Sequence, residues 1–233
     1  MTESTPPAVR TEAVWKTFSQ EAEEVHAVRD VSLVIAPGEF TALAGPSGSG
    51  KTTLLNLMGG LTRSTRGRVL VAGRDLTEMS NRELAQLRLE EIGFVFQAYN
   101  LLPVLTAVEN AEFPMLLQGV PLEDRRRRVR ELFEKTGLTG LEERRPGKLS
   151  GGQQQRVAVI RAVASKPAMV LADEPTANLD SSASEALLNV MYDLNQELGV
   201  TFVFATHDVR VMERSRRLVR MVDGAIDSDE TRR

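Results

Sequence analysis

The chain has 233 residues, a formal net charge of -3, no cysteine, and 42% hydrophobic against 26% charged residues. That length supports one α/β domain with a sizeable core, and the small net charge disfavours nucleic acid as the main partner. The lack of cysteine excludes disulfides, thiolate zinc sites and thiol nucleophiles, and no apolar run reaches the roughly 18 residues of a membrane-spanning helix.

Met1–Arg10 carries Thr, Ser, two prolines and a glutamate but no apolar stretch. It reads as a frayed tail rather than a secretory signal, with residues 1–8 flexible. Glu12–Phe18 and Val25–Ile35 read as an antiparallel pair joined by the acidic turn Gln20–Glu24. Val31, Leu33 and Ile35 give the alternation of a strand, with Val34 its imperfect step. Pro37-Gly38 marks a turn. Phe40–Ala44 is a short apolar run ending at Gly45, and a helical pattern starts near Lys51. Gly67–Val71 and Ile92–Phe96 read as further strands.

From Thr106 to Lys166 helical patterns dominate, over Thr106–Leu117, Pro121–Thr136 and Gly152–Ala164. In the second, Leu122, Val129, Leu132 and Phe133 share one helical face, and Arg125–Arg128 read as its solvated surface. Strand character returns at Ala168–Ala172. A long helix over Ser181–Leu198, a strand over Val200–Ala205, a short helix and a strand over Leu218–Val222 follow. Asp223-Gly224 closes the pattern, and residues 226–233 read as a flexible, charged tail. Strands alternating with helices argue a mostly parallel sheet in an α/β fold. The N-terminal pair adds an antiparallel part, and the helical block, about residues 98–166, reads as an inserted subdomain of a single domain.

Gly45-Pro46-Ser47-Gly48-Ser49-Gly50-Lys51-Thr52 fits the phosphate-loop pattern G-x-x-x-x-G-K-[ST], and Thr53 follows it into the helix. It lies between an apolar strand and a helix, as the pattern requires. Glycines let successive N–H groups turn inward as an anion nest, and the helix N-terminus adds partial positive charge. Lys51 reaches the β- and γ-phosphates, and the Thr52 hydroxyl suits Mg²⁺. A nucleoside triphosphate is the expected ligand. The pattern alone leaves ATP or GTP open.

The buried run Ala168–Ala172 ends in Asp173-Glu174. Adjacent residues on an extended segment point to opposite sides, so the two acids have different tasks. Asp173 is expected at the metal and Glu174 at the attacking water, as base or orienter. His207 follows the next strand and is a candidate for contact with the γ-phosphate or that water. Gln97, after Ile92–Phe96, is a candidate for a side-chain oxygen on Mg²⁺.

Leu149-Ser150-Gly151-Gly152-Gln153-Gln154-Gln155-Arg156 resembles the signature of the ABC ATPases, and Leu171–Asp180 (LADEPTANLD) resembles the Walker B strand and D-loop of that family. Phe96-Gln97 and Thr206-His207-Asp208 resemble its Q-loop and H-loop. Phe18 stands where the family carries an aromatic that stacks on adenine, with Trp15 a weaker candidate. The resemblance spans about residues 8–225. Phe94–Pro103 (FVFQAYNLLP), with the signature and Walker B runs, resembles the lipoprotein-releasing and macrolide-export type. It implies a P-loop NTPase fold of ABC type, with ATP and Mg²⁺ as cofactors and Glu174, His207 and Gln97 as catalytic residues. It implies an ATP-bound homodimer in which Ser150, Gly151, Gly152 and Gln153 reach the partner's γ-phosphate and Asp180 links the two sites.

On this resemblance the chain is the ATPase subunit of an exporter or membrane-extraction system, peripheral on the cytoplasmic face of the cell membrane. It drives a separate transmembrane permease that docks near Ala98–Leu105. A cell-division-type signalling ATPase, acting mechanically on a membrane protein, remains an alternative. A soluble ABC ATPase of DNA repair or of the ribosome fits less well, since neither a long coiled-coil insertion nor a second ATPase domain is present.

Overall fold

The computed structural model describes residues 5–20 and 23–232. Residues 1–4 of the expected tail, Glu21 and Ala22 of the expected acidic turn, and Arg233 lie outside them. Strands β1 (Val9–Gln20) and β2 (Glu23–Ile35) pair antiparallel. Both start earlier than the alternation suggests, because polar residues such as Arg10 and Glu24 occupy exposed rungs. Ala8, expected in a loose tail, is buried, and its carbonyl accepts from the Ala72 N–H at 3.1 Å.

Strand β3 (Phe40–Ala44) leads into helix α1 (Lys51–Met58). Strands β4 (Arg66–Val71) and β5 (Arg74–Asp75) extend the antiparallel sheet, whose order is β2-β1-β4-β5. Helix α2 (Asn81–Glu91) was not legible from periodicity, since only Leu84 and Leu87 are buried along it. Its start is marked by a reciprocal capping box between Ser80 and Glu83.

Strand β6 (Ile92–Val95) precedes helices α3 (Ala107–Leu117), α4 (Leu122–Lys135) and α5 (Gly151–Ala164). Strand β7 (Met169–Asp173), helix α6 (Ser181–Leu198), strand β8 (Phe202–Thr206), helix α7 (Val209–Arg214) and strands β9 (Arg217–Val222) and β10 (Ala225–Thr231) complete the chain. Their sheet has the order β10-β9-β3-β8-β7-β6, parallel except at β10. Residues 226–231, expected in a flexible tail, therefore form an edge strand. Ionic contacts hold it: Asp229 takes a two-pronged bond from Arg217 at 2.8 and 2.7 Å.

Side-chain alternation divides the core into two layers. Phe40, Ala42 and Ala44 of β3, Val170 and Ala172 of β7, and Phe202 and Phe204 of β8 face α3–α6. Leu43, Met169, Leu171, Val203 and Ala205 face the other way, onto α1 and the antiparallel sheet. Helix α1 is thus sandwiched between the sheets, with Leu54, Leu55, Leu57 and Met58 fully buried. Each such side chain contributes about 1.5–3 kcal/mol.

Helix α4 departs from expectation in two ways. Val129, Leu132 and Phe133 are buried, but Leu122, the first helical residue, is exposed. The arginine run is not simply solvated. Arg125 and Arg126 converge on the buried Glu112 of α3 at 3.5 and 3.2 Å, and the Arg125 guanidinium donates to the Val120 carbonyl. These arginines clamp α3 to α4.

Candidate functional site

The parallel register brings the candidate residues to one edge of the sheet. Ala44 pairs with Thr206, and Ala205 pairs with Asp173. The segments that follow β3, β7 and β8 therefore leave side by side at the C-terminal edge, the usual place for a ligand in such sheets. Gln97 leaves β6 at the same edge, two residues past Val95, which pairs with Ala172.

Gly45 to Gly50 form the loop between β3 and α1. Pro46, Ser47 and Gly48 are exposed and Ser49 is buried. Gly50 has φ 96°, and a Cβ there would stand 2.3 Å from the Ala27 carbonyl oxygen. Only glycine fits this approach of the loop to β2. Lys51 Nζ donates to the carbonyls of Gly45 and Pro46, both at 2.8 Å. Burial lowers the Lys51 pKa, and the negative charges of Glu174 and Asp173 oppose that shift. Thr52 and Thr53 follow in the first turn of α1, with Thr52 exposed.

The Thr52 hydroxyl donates to Asp173 Oδ1 at 2.9 Å, joining the phosphate loop to the end of β7. Burial raises the Asp173 pKa, the Thr52 bond lowers it, and the neighbouring Glu174 raises it again. A carboxylate so placed gains from a nearby cation.

Glu174 is not extended, as simple alternation supposed, but has φ 45°. This left-handed step is rare for a residue with a Cβ and is sustained by its surroundings. The Glu174 N–H donates to the Ala205 carbonyl at 2.9 Å. Its carboxylate accepts from the Thr206 hydroxyl at 3.1 Å and the His207 N–H at 3.1 Å, and His207 Nδ1 lies 2.6 Å away. A carboxylate only accepts, so Nδ1 carries the proton. Glu174 is mostly buried while the His207 ring is open to solvent. The two acids thus have different partners: Asp173 meets Thr52, and Glu174 meets Thr206 and His207.

Gln97 bonds to Asn178 rather than to Thr52 or Asp173. Its Nε2 lies 3.4 Å from Asn178 Oδ1, and its carbonyl accepts from Asn178 Nδ2 at 3.0 Å. Ser150 N-caps α5, its Oγ accepting from the Gln153 N–H at 3.3 Å while Gln153 Oε1 accepts from the Ser150 N–H at 2.9 Å. Gly151 and Gly152 form the first helical turn behind that cap. Asp180 caps α6, accepting from the Ala183 N–H at 2.8 Å. Phe18 stands exposed on β1, with Lys16 Nζ 4.8 Å from its ring centroid. Trp15 makes an edge contact with His26 instead.

Several residues that sequence reasoning did not single out organise this edge. Gln155, fully buried, donates to the Phe96 and Pro175 carbonyls at 3.1 and 2.8 Å. Thr176 donates to Asp208 at 2.7 Å. Asn110, also fully buried, bonds to Leu102, Leu105 and Thr106 and shapes the segment after Gln97. Gln155 and Thr176 lie inside quoted motifs, but nothing in spacing alone reveals which carbonyls they reach.

This edge, with phosphate loop, paired strand-end acids and a capped signature helix, defines a nucleotide-hydrolysing cassette. The chain belongs to the ABC transporter family, whose profile matches residues 28–177, and it is an ATPase that binds ATP. It is 48% identical over 219 residues to an uncharacterized ABC transporter ATP-binding protein of Thermotoga maritima, covering 94% of this chain and 93% of that one. It is 41% identical to the uncharacterized ABC transporter ATP-binding protein MJ0796 of Methanocaldococcus jannaschii, covering 95% and 96%. The macrolide export ATP-binding/permease protein MacB of Hyphomonas neptunium is 45% identical over 97% of this chain, which spans only 35% of that protein. Among solved structures, the dimeric post-hydrolysis state of MJ0796 bound to ADP and Pi superposes with a TM-score of 0.87 at 40% identity, over 97% of this chain and 99% of that one.

Proposed function

We propose that the chain is the motor subunit of an exporter or membrane-extraction system, working as a homodimer around two ATPs on a separate membrane permease. The observation that carries this reading is the exposed, capped helix N-terminus of the signature run at Ser150, which lies apart in sequence from the phosphate loop. The polar side chains of Ser150 and Gln153 serve that cap, and an exposed helix start suits the phosphate of another copy. The likeness to a dimeric cassette and to MacB, whose name joins ATPase to permease, supports it.

In this reading Phe18 stacks on adenine, and Gly45–Thr53 cradle the phosphates with Lys51 on the β- and γ-oxygens. Ser150, Gly151, Gly152 and Gln153 of one subunit reach the nucleotide of the other, and Asp180 lies between the sites. Thr52 and Asp173, with Gln97, would hold Mg²⁺. Their hydroxyl, carboxylate and amide oxygens are hard donors, and the described residues contain no cluster of three His, Cys, Asp or Glu. That sparse set suits a cation that keeps water and phosphate ligands. Bound Mg²⁺ neutralises charge on the phosphate oxygens. Glu174 takes the proton of the attacking water, and His207, fixed on Glu174, contacts the γ-phosphate side.

The permease docks at the segment after Gln97. Leu102 and Val104 are exposed there, and Asn100 borders a groove of about 410 Å³ lined also by Leu61, Phe94, Phe96 and Pro114. Exposed apolar residues beside a groove suit a partner helix. No helix among the described residues is long and apolar enough to cross a membrane. A peripheral position on the cytoplasmic face follows from the proposed permease.

The test is purification of tagged Glu174→Gln from native membranes with ATP present, beside the same protein carrying Val104→Glu. Recovery of a multi-span membrane protein that Val104→Glu abolishes is the expected result. A partner with a large extracytoplasmic domain and no translocation path would move the function to mechanical signalling. Recovery of soluble proteins alone would overturn the motor reading.

A further inference from the structure

Gln97 and Asn178 meet across the loops that leave β6 and β7. Asn178 Nδ2 donates to the Gln97 carbonyl at 3.0 Å. A backbone carbonyl only accepts, so that end of Asn178 is the amine and Oδ1 is its acceptor end. Gln97 Nε2 lies 3.4 Å from that Oδ1. An oxygen in the same place would face an oxygen, so the Gln97 amide has one favoured orientation. Its Oε1 is then the end turned away from Asn178, and among the described residues no hydrogen bond engages it.

The frame around this pair is firm. The Tyr99 hydroxyl donates to the Asn178 carbonyl at 3.4 Å. Arg161 of α5 donates to the Asn100 and Tyr99 carbonyls at 2.5 and 3.1 Å. Gln155 of the same helix bonds both to Phe96, one residue before Gln97, and to Pro175, three before Asn178. Both loops are thus tied to one helix, and the contact between the two amides does not depend on loop drift.

We propose that Asn178 is a positioning residue for the cation site, holding the Gln97 side chain so that Oε1, and not Nε2, is offered to Mg²⁺. A cation accepts only the oxygen end of an amide, so an amide free to turn presents the wrong end part of the time. The inference rests on the reading of Gln97 as a Mg²⁺ ligand.

The experiment measures binding of a non-hydrolysable ATP analogue by calorimetry across a Mg²⁺ series and in EDTA, for wild type, Asn178→Leu, Gln97→Glu, Gln97→Ala and the Asn178→Leu/Gln97→Glu double variant. Asn178→Leu should raise the Mg²⁺ midpoint by about twofold, because an amide free to turn presents its oxygen about half the time, with affinity in EDTA unchanged. In Gln97→Glu both ends of the side chain are oxygens, so Asn178→Leu should not raise the midpoint there, and removing the oxygen that faces the carboxylate can only lower it. An equal shift in both backgrounds, or a lower affinity in EDTA, would mean that Asn178 acts on the loop fold and would overturn the proposal alone. A Gln97→Ala midpoint equal to wild type would remove Gln97 from the metal and overturn the proposal together with the reading beneath it.

Discussion

Replacing Glu174 with glutamine isolates proton transfer from architecture. The carboxylate accepts three donors, from Thr206 and from the backbone and ring of His207. Glutamine keeps Oε1 for both His207 donors, and its Nε2 can donate to the Thr206 hydroxyl, which turns to accept. The left-handed backbone at this residue is unchanged, so the side chain stays in place and only basicity is lost. Loss of a positioned general base costs about 10²- to 10⁴-fold in rate, or about 2.7–5.4 kcal/mol of barrier. The assay is phosphate release at saturating Mg·ATP, paired with size-exclusion chromatography in ATP. The expected outcome is that fall in turnover with retained nucleotide binding and an accumulated ATP-bound dimer. Turnover within threefold of wild type, in a folded variant, would refute Glu174 as the base.

Gly93→Ala tests the seam between β6 and α5: a Cβ there would stand 2.3 Å from the Ala162 carbonyl oxygen and 3.0 Å from the Ala162 Cβ. Overpacking against a backbone should cost about 1–3 kcal/mol in urea denaturation, and a loss below about 0.5 kcal/mol would show that α5 slides freely on the strand. Asp208→Asn tests the tie to Thr176 and Arg210. The paired Arg210 holds this carboxyl down at about 2, against an ordinary value of 3.8. A depressed carboxyl stabilises the fold fully above its unfolded pKa and loses that contribution as pH falls through the folded one. The difference in melting temperature between wild type and Asp208→Asn should therefore be constant above pH 3.8 and close toward pH 2. A gap that persists unchanged at the acid end would contradict the ionic account.

The parallel strands and their helices were legible because buried strands read as apolar runs, and Phe40–Ala44 is placed residue for residue. The strand–loop–helix setting of the phosphate-loop motif was legible because the motif is compressed into eight consecutive residues. Strand β10 was hidden: Asp227, Ser228, Asp229 and Glu230 carry no apolar alternation, and the strand forms through the Asp223-Gly224 turn and its ion pair to Arg217. Helix α2 was hidden for a related reason, its two buried leucines being too few to set a period. The bonds of Gln97 to Asn178 join residues 81 apart in sequence, a relation fixed by where two loops leave a sheet and not by any local pattern. Arg125 and Arg126 show the converse: a charged run reads as solvent-facing until a buried partner such as Glu112 is seen.

The turn between β9 and β10 takes φ 47° at Asp223 and 82° at Gly224, a tight two-residue hairpin. The Gly224 carbonyl accepts from Arg29 of β2 at 2.7 Å, and its N–H donates to the Ser49 carbonyl at 3.1 Å. One residue thus rivets the phosphate loop to the strand that descends from the Phe18 hairpin. The ends proposed for the base and the phosphates are therefore carried on a common chassis, whose fastener lies near the far end of the chain.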